Sequence, residues 1–214
     1  MIMEGRGIPA KGAFPGSFSY GNDAVETVSY DPEEAKKLLE ESGWTDTDGD
    51  GYVDKDGQKL TINWLTYPTR LEQPKLAEYA QATLKEIGID VSVNNTSDHR
   101  TYAENGEFDV YVSSLTTAPT GDPEYFFSST VTGSKNYGNY QNDEVTKLTE
   151  QLHQTFDTDE RGKLAVELQQ KILDDDAYFF VSHLNMGLVS KSNVSGLTAH
   201  PCDYYEITAD LEVK

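Results

Sequence analysis

Residues 60–93 read LTINWLTYPTRLEQPKLAEYAQATLKEIGIDVSV and decide the fold. Apolar and polar residues alternate over residues 60–67, which predicts a strand. A helix is predicted over residues 73–87, because its apolar residues share one face and Gly88 follows as a stop. Residues 89–93 alternate again. Two strands joined through one helix by short connections predict a parallel pair with a right-handed crossover.

The segments on either side extend this α/β pattern. Residues 108–115 predict a third strand, apolar enough to lie centrally in the sheet. Upstream, Asp31-Pro32-Glu33-Glu34 begins a helix with a capping carboxylate and a proline in the first turn. Gly43 is placed to end that helix. The order of elements therefore alternates between helix and strand, as in α/β folds.

Three helices and a strand pair are predicted in the second half of the chain. A short helix is expected after Asp122, and longer helices are expected after Asn142 and from Thr158, where polar caps precede an apolar stripe. Strands 179–184 and 187–190 are expected to pair around a tight connection. The complete pattern predicts an α/β fold with a mixed sheet and helices on both faces.

The predicted domain organisation is one lobe with a lead-in. Residues 31–214 are expected to form a single α/β lobe, of which about the last 20 residues return as a tail. Residues 1–30 are expected to be a lead-in segment from the preceding part of a longer chain. Their start has neither the charged leader nor the apolar core of a signal peptide.

Charge and cysteine content exclude several classes of protein. The chain has 214 residues, and its 17 basic and 37 acidic residues give a net charge of -20. This charge argues against nucleic acid or an anionic membrane surface as a partner. Cys202 is the only cysteine, which excludes an intrachain disulfide framework and a cysteine-based zinc cluster. The four histidines are scattered without metal-site spacing and are interpreted as surface or packing residues.

An acidic segment, residues 46–57, reads DTDGDGYVDKDG and resembles a calcium loop. The side chains or carbonyls at ligand positions 1, 3, 5, 7 and 9 of such a loop would come from Asp46, Asp48, Asp50, Tyr52 and Asp54. Position 12 is Gly57 instead of the glutamate that completes the site, and a strand follows where a second helix is required. A solvated connector is expected, with a structural calcium as the open alternative and no required cofactor. A stand-alone calcium-binding module is the alternative function from another class.

The sequence contains no motif of a known catalytic site. It has no Gly-x-Ser-x-Gly turn and no glycine-rich loop that enters a helix. A carboxylate-dependent hydrolase would need two perturbed carboxyl groups in one cleft, and chance proximity explains any pair in so acidic a chain. The chain is therefore not expected to be an enzyme.

Residues 113–123 are the best candidates for ligand contact. They follow a predicted strand at its carboxyl end, where open α/β sheets bind ligands, and they lead into a helix. Thr116, Thr117 and Thr120 offer hydroxyl groups there, whereas Asp122 is interpreted as the helix cap. The turn at residues 134–140 offers Asn136 and Tyr137 to the same crevice, or it is an ordinary polar loop.

An ordered series of short motifs runs through nearly the whole chain. The series comprises residues 30–39 (YDPEEAKKLL), 84–91 (LKEIGIDV), 106–110 (GEFDV), 122–123 (DP), 139–145 (NYQNDEV) and 159–161 (DER). It resembles the carboxyl-terminal lobe of the peptide/nickel-type extracellular solute-binding proteins, family 5, of ABC importers. The chain departs from the family where Thr116, Thr117 and Ala118 stand in place of a usual tryptophan. It also lacks a histidine over residues 130–140, and no acidic residue that would hold a peptide amino terminus precedes Asp122.

The resemblance implies a lobe of type II periplasmic-binding-protein fold and a receptor without covalent chemistry. Such a receptor binds an oligopeptide or related solute, or in the nickel branch a metal chelate, and delivers it to a membrane permease. It works on the extracellular side of the cytoplasmic membrane, periplasmic or lipid-anchored. The missing amino-terminal lobe would supply the other half of the cleft, so this chain is expected to fold alone but to bind solute weakly.

Overall fold

The computed structural model describes residues 2–199 and 207–214. The chain forms two compact units, one of residues Val28–Ser114 and one of Met3–Thr27 together with Leu115–Lys214. The lead-in predicted for residues 1–30 does not form a separate segment here. Residues 3–27 belong to the unit of the second half of the chain, and residues 28–30 belong to the other unit. For the whole protein, the predicted division at residue 30 stays a prediction.

The described helices and strands are numbered in chain order. The helices are α1 (Pro32–Glu41), α2 (Glu72–Lys85), α3 (His99–Glu104), α4 (Glu124–Phe126), which continues as a π-helical turn (Phe127–Val131), α5 (Asp143–Gln154) and α6 (Thr158–Asp174). The strands are β1 (Gly7–Pro9), β2 (Asp54–Lys55), β3 (Gln58–Lys59), β4 (Thr61–Thr66), β5 (Asp90–Asn95), β6 (Val110–Tyr111), β7 (Ser182–Leu184), β8 (Val194–Ser195) and β9 (Glu212–Val213).

A parallel sheet in the order β5-β4-β6 forms the centre of the 28–114 unit. Helix α2 connects β4 to β5 and packs against both, and α3 packs against β4. The predicted strand, helix, strand unit is therefore confirmed, including Gly88, whose φ of +80° ends the helical segment. The prediction that residues 108–115 lie centrally is wrong. Only Val110 and Tyr111 of that segment form a strand, and they pair with β4 alone among the described strands.

Helix α1 begins and ends where the sequence predicts. The Asp31 carboxylate accepts a hydrogen bond from the Glu34 amide at 3.0 Å, and Gly43 adopts a φ of +84° after the helix. Leu38 belongs to the apolar stripe of α1, yet the residue is 53% exposed. No residue of α1 is buried. The helix therefore packs only with half-buried side chains, among them Ala35 and Leu39.

Helices α5 and α6 supply nearly half of the buried apolar residues described in the core of the other unit. Their amino termini are capped by Asn142 and Asp157, whose side chains accept hydrogen bonds from first-turn amides. The helices contact each other and bury apolar side chains together with the π-helical turn. The largest fully buried apolar side chains of this core are Phe14, Phe126, Phe127, Val131, Val145, Leu152, Leu168 and Ile172.

Residues 10–25 are anchored to this core by a buried glutamine. Gln169 on α6 has no exposed surface. Its Oε1 accepts from the Ala13 amide at 3.0 Å, and its Nε2 donates to the carbonyls of Tyr20 at 2.8 Å and Ala165 at 3.1 Å. A Cβ at residue 12 would lie 2.6 Å from Gln169 Oε1, so only glycine fits this close approach.

The final strands differ from the prediction. Strand β7 pairs antiparallel with β1, at the other end of the chain, and residues 187–190 form no strand. The predicted pair 179–184 and 187–190 is therefore wrong, because backbone partners for β7 come from residues 6–10. A short pair, β8 and β9, closes the described tail, whereas Cys202 and His200 lie outside the described residues. No described helix has the length and apolarity needed to cross a membrane.

Candidate functional site

Residues 115–123 form an irregular segment with both anchored and accessible positions. Ala118 and Pro119 are buried, whereas Thr116 and Thr120 are exposed and Thr117 is half-buried. The Tyr20 hydroxyl donates to the Gly121 carbonyl at 2.8 Å. Three threonines are therefore presented on a fixed backbone, and their role in ligand contact stays a prediction.

Arg161 fixes the end of this segment, and all five of its N–H donors have partners. Nε and one terminal nitrogen donate to the two Asp122 oxygens at 2.8 and 2.6 Å, and the same terminal nitrogen donates to Glu124 at 2.9 Å. The other terminal nitrogen donates to the carbonyls of Leu152 and Thr155, both at 2.6 Å. The guanidinium thus joins the Asp-Pro segment to the carboxyl end of α5.

The two carboxylates on Arg161 are held in their charged form. Partial burial raises the pKa of Asp122. The hydrogen bonds from Arg161 and from the Glu124 amide together lower the pKa by more, so that it lies below its ordinary value of 3.8. Burial likewise raises the pKa of Glu124, and the bonds from His153 and Arg161 bring it below 4.5. A general acid needs a raised pKa, so this pair does not have the property a hydrolase requires. Asp122 also accepts from the Glu124 amide at 2.9 Å, but the cap position of α4 is Pro123 and not Asp122 as the sequence predicts.

The turn at residues 134–140 is held by its own asparagine. The Asn136 side chain donates to the Tyr140 carbonyl at 2.8 Å and accepts from the Tyr140 amide at 3.0 Å. Asn136 and Tyr137 are both half-buried. Both polar ends of the Asn136 amide therefore hold the turn, which leaves its predicted ligand contact untested.

A cluster that sequence reasoning missed lies at the carboxyl end of the parallel strands in the 28–114 unit. Tyr67 follows β4, and its ring stacks on that of His99 with centroids 4.1 Å apart. The His99 Nδ1 lies 2.6 Å from the Tyr111 hydroxyl, and the Ser114 amide donates to the Tyr67 hydroxyl at 3.1 Å. Burial and the neighbouring Arg100 lower the pKa of His99.

This cluster occupies the edge at which open α/β sheets bind ligands. Gln73, in the first turn of α2, donates to the Ser114 hydroxyl at 3.0 Å and is buried. The sequence signal was the position of His99, at the start of a helix immediately after a strand. The periodicity of the sequence does not predict that His99 lies beside Tyr67 and Tyr111, because the contact between these residues depends on the register of the strands.

The acidic segment brings together three of its five predicted metal ligands. One carboxylate oxygen each of Asp46, Asp48 and Asp50 lie within 4.8 Å of one another, and all three residues are exposed. The Asp54 carboxylate instead accepts from the Thr47 amide and hydroxyl at 2.9 and 2.7 Å.

Groups within the unit already pair with these carboxylates. Asp46 accepts from the amides of Gly49 and Gly51, and Asp50 forms an ion pair with Lys59 at 2.7 Å. Tyr52 donates its amide to Asp50 at 2.9 Å. The loop is therefore organised by its own turns, as expected of a connector, and a bound calcium would compete with Lys59.

Residues 1–138 match the bacterial extracellular solute-binding proteins, family 5, in the middle portion of that family. The chain belongs to this family. The resemblance drawn from the ordered motifs is thus confirmed. Family 5 consists of extracellular solute-binding proteins of bacteria.

Family 5 relatives include peptide and nickel receptors. The oligopeptide-binding protein AppA of Bacillus subtilis is 32% identical over 201 residues, which cover 90% of this chain and 37% of AppA. The nickel-binding periplasmic protein of Escherichia coli is 29% identical over 197 residues, covering 88% of this chain and 37% of that protein. The chain thus spans less than half the length of these relatives.

Solved structures of the family share the fold. AppA of Bacillus subtilis in complex with a nonapeptide superposes with a TM-score of 0.81 at 24% identity, over 100% of this chain and 44% of AppA. NikA of Staphylococcus aureus with Ni(L-His)2 gives a TM-score of 0.77 at 25% identity, over 99% of this chain and 44% of NikA. The predicted α/β fold of type II periplasmic binding proteins is confirmed.

Proposed function

We propose that this chain is part of the substrate-binding component of an ABC importer, which delivers an oligopeptide or related small solute to a membrane permease. The family 5 match over residues 1–138 carries the proposal. The chain spans 37% of AppA, which supports the view that it supplies one half of the cleft and an amino-terminal lobe supplies the other. The receptor acts outside the cytoplasmic membrane, in the periplasm or on a lipid anchor.

The receptor works without catalysis. Closure of two lobes around the solute sequesters it, and the binding energy shifts the population toward the closed state. Thr116, Thr117 and Thr120, with Asn136 and Tyr137, are the proposed contacts from this chain. Hydroxyl and amide groups suit the backbone of a peptide, because they both donate and accept hydrogen bonds.

A peptide is a better match to these residues than a nickel chelate. Nickel favours imidazole nitrogen, whereas carboxylate oxygens suit magnesium or calcium. Residues 130–140 contain no histidine. In the described part of the chain, the candidate metal-binding group is the aspartate triplet at residues 46, 48 and 50. A nickel or metal-chelate receptor is therefore the second candidate, supported by the similarity to NikA.

Thermal unfolding of the complete receptor tests the choice of solute. A pool of nonapeptides at about 100 times its dissociation constant is expected to add about 2.7 kcal/mol to the free energy of unfolding. Ni(L-His)2 at the same concentration is expected to add nothing. This chain alone is expected to unfold cooperatively without a shift from either compound, because it lacks part of the cleft.

Three results would contradict these expectations. A shift with Ni(L-His)2 and none with the peptide pool would assign the receptor to the metal-chelate branch. Tight binding of nonapeptides to the isolated chain in calorimetry would show that the second lobe is not needed. An unshifted complete receptor in both arms would count against both solutes.

We further propose that the acidic loop takes up calcium as a local staple that adds stability. The convergence of three aspartate oxygens supports this proposal. Because Gly57 replaces the bidentate glutamate, the expected dissociation constant is about 10⁻⁴ to 10⁻³ M, as in extracellular calcium modules. Calorimetric titration with calcium should show this binding, and Asp48→Asn should abolish it. Asp56→Asn, outside the triplet, should leave it unchanged; equal binding by both variants would refute the site.

A further inference from the structure

A pocket of about 380 Å³ lies beside helix α1 in the 28–114 unit. Its apolar walls come from Leu39 on α1, from Trp44 and Val53, and from Ile87, which follows α2. These four residues are half-buried, so solvent reaches the space between them. The volume lies within the range of about 300–1,000 Å³ that is typical of pockets for small molecules.

The pocket accounts for the weak packing of α1. No side chain of α1 is buried, and Leu39, from its apolar stripe, lines the pocket. An apolar side chain beside an unfilled space lacks the dispersion contacts that it would have in a packed core. A ligand with an apolar body would supply those contacts and would pack against α1.

The charged groups at the pocket favour a cation. Lys36, Glu40 and Asp46 line it together with the apolar walls. The Lys36 ammonium is paired with Glu33 at 3.1 Å, and the Asp46 carboxylate accepts from two amides of its own loop. In the part of the chain that the structure describes, no hydrogen bond or ion pair engages the Glu40 carboxylate. Its negative charge is therefore available to a ligand.

Trp44 gives the pocket an aromatic wall. The Lys55 ammonium lies 5.9 Å from the centre of the Trp44 ring and donates to the Ser42 carbonyl at 2.8 Å. The face of an indole ring attracts cations, and the ring also stacks with other aromatic rings. Trp44 therefore suits a ligand that joins an aromatic body to an ammonium group.

The pocket lies away from the edge of the sheet at which open α/β folds bind their ligands. Ile87 and Gly88 come shortly before β5, which places the pocket toward the amino-terminal ends of the parallel strands. Open α/β sheets bind ligands at the carboxyl-terminal ends, where His99 stacks on Tyr67. The pocket also shares no residue with the proposed solute contacts.

We propose that this pocket is a second binding site, for a small amphipathic cation that carries an ammonium group on an aromatic body. The aromatic body packs against Leu39, Trp44 and Ile87, and the ammonium group pairs with Glu40. Only residues of the 28–114 unit take part. The site therefore does not depend on the proposed function, and it stands or falls separately from peptide binding.

The indole signals in a ¹⁵N–¹H spectrum of this chain test the site. The chain has two tryptophans, and Trp44→Phe identifies which indole signal belongs to each. Titration with 2-phenylethylamine, with EDTA present to keep the acidic loop free of metal ions, is expected to shift the Trp44 signal to saturation. The Trp64 signal is expected to stay in place, because its buried Nε1 lies in the sheet and outside the pocket.

Three comparisons test the chemistry of the ligand. Phenylacetate, which reverses the charge, and ethylamine, which lacks the ring, are expected to leave the Trp44 signal unshifted. Glu40→Gln is expected to weaken the binding of 2-phenylethylamine by about two- to fivefold, as for the loss of an exposed ion pair. Glu41→Gln is the matched control and should bind as wild type, because Glu41 pairs with Lys37 and does not line the pocket.

Several outcomes would overturn the site. An unmoved Trp44 signal, or equal shifts of both indole signals, would show that the pocket does not bind the amine. An equal response to phenylacetate would overturn the preference for a cation. Equal affinities of the Glu40 and Glu41 variants would overturn the pairing of the ammonium group with Glu40.

Discussion

Replacing Arg161 with glutamine is expected to lower the free energy of unfolding by about 2–4 kcal/mol. The Arg161 side chain is only 12% exposed and its five N–H groups hold four residues. Its removal leaves Glu124, which is 24% exposed, without its guanidinium partner. The expected loss of unfolding free energy is smaller than that for a fully buried ion pair, because the Asp122 side chain is 40% exposed. Urea unfolding measures the difference.

Lys163→Gln is the matched control for Arg161. Lys163 lies on the same helix and forms an ion pair with Glu160 at 2.6 Å, but the two side chains are 71% and 56% exposed. Its loss is expected to leave the free energy of unfolding nearly unchanged, because water solvates both exposed side chains. Arg161→Lys should recover less than half of the loss, since one ammonium group cannot reach all four partners. Equal effects of Arg161→Gln and Lys163→Gln would refute the assignment.

The effect of Arg161→Gln is expected to depend on pH. Asp122 and Glu124 have folded-state pKa values below their ordinary values of 3.8 and 4.5, so they bind protons more readily when unfolded. The stability that these two carboxylates contribute is complete when the pH lies above their ordinary pKa values. It is lost as the pH falls through their lower folded-state pKa values. The stability difference between wild type and variant should therefore be greatest above about pH 5 and shrink toward pH 3. A difference that grew on acidification would contradict this sign.

Replacing Gln169 with leucine is expected to cost about 2–5 kcal/mol of unfolding free energy. Leucine fills a similar volume but cannot accept from the Ala13 amide or donate to the Tyr20 carbonyl, and both bonds are buried. Each buried polar group left unpaired costs about 1–3 kcal/mol. Thermal or urea unfolding measures the loss, and amide exchange at Ala13 should accelerate, because its acceptor is gone.

The neighbouring glutamine supplies a matched control. Gln170 also bonds both backbone groups of a distant residue, accepting from the Glu26 amide at 2.9 Å and donating to its carbonyl at 3.2 Å. These bonds are exposed, so water replaces them when they are lost. Gln170→Leu is therefore expected to cost less than about 1 kcal/mol. If the two variants lost the same stability, burial would not be the reason for the effect of Gln169.

The elements that were predicted correctly have signals within a few residues. The Asp31 and Asn142 side chains cap helices in the structure as their sequence positions predict, and Gly43 and Gly88 end helical segments with positive φ. The prediction from apolar content, in contrast, was wrong for residues 108–115. Their side chains are apolar enough for a central strand, but only two of them pair with β4, and pairing is a property of the whole sheet.

Contacts between distant residues account for the remaining errors and omissions. Strand β7 pairs with β1 from the opposite end of the chain, and no pattern in residues 7–9 indicates that partner. The motif at residues 159–161 was recognised, but Arg161 finds Asp122 only because two helices and a loop bring them together. In the same way, His99 and Tyr111 approach through the register of parallel strands. The sequence shows that such residues are present, but it does not indicate which distant residues they contact.

Helix α1 contributes no buried residue, and this has a consequence for where a protease would first cut the chain. Segments with few buried contacts open at a small fraction of the global unfolding free energy, while the rest of the fold remains intact. Extracellular proteases cut such transiently open segments first. A nick near α1 would leave the parallel sheet and the α5–α6 core assembled.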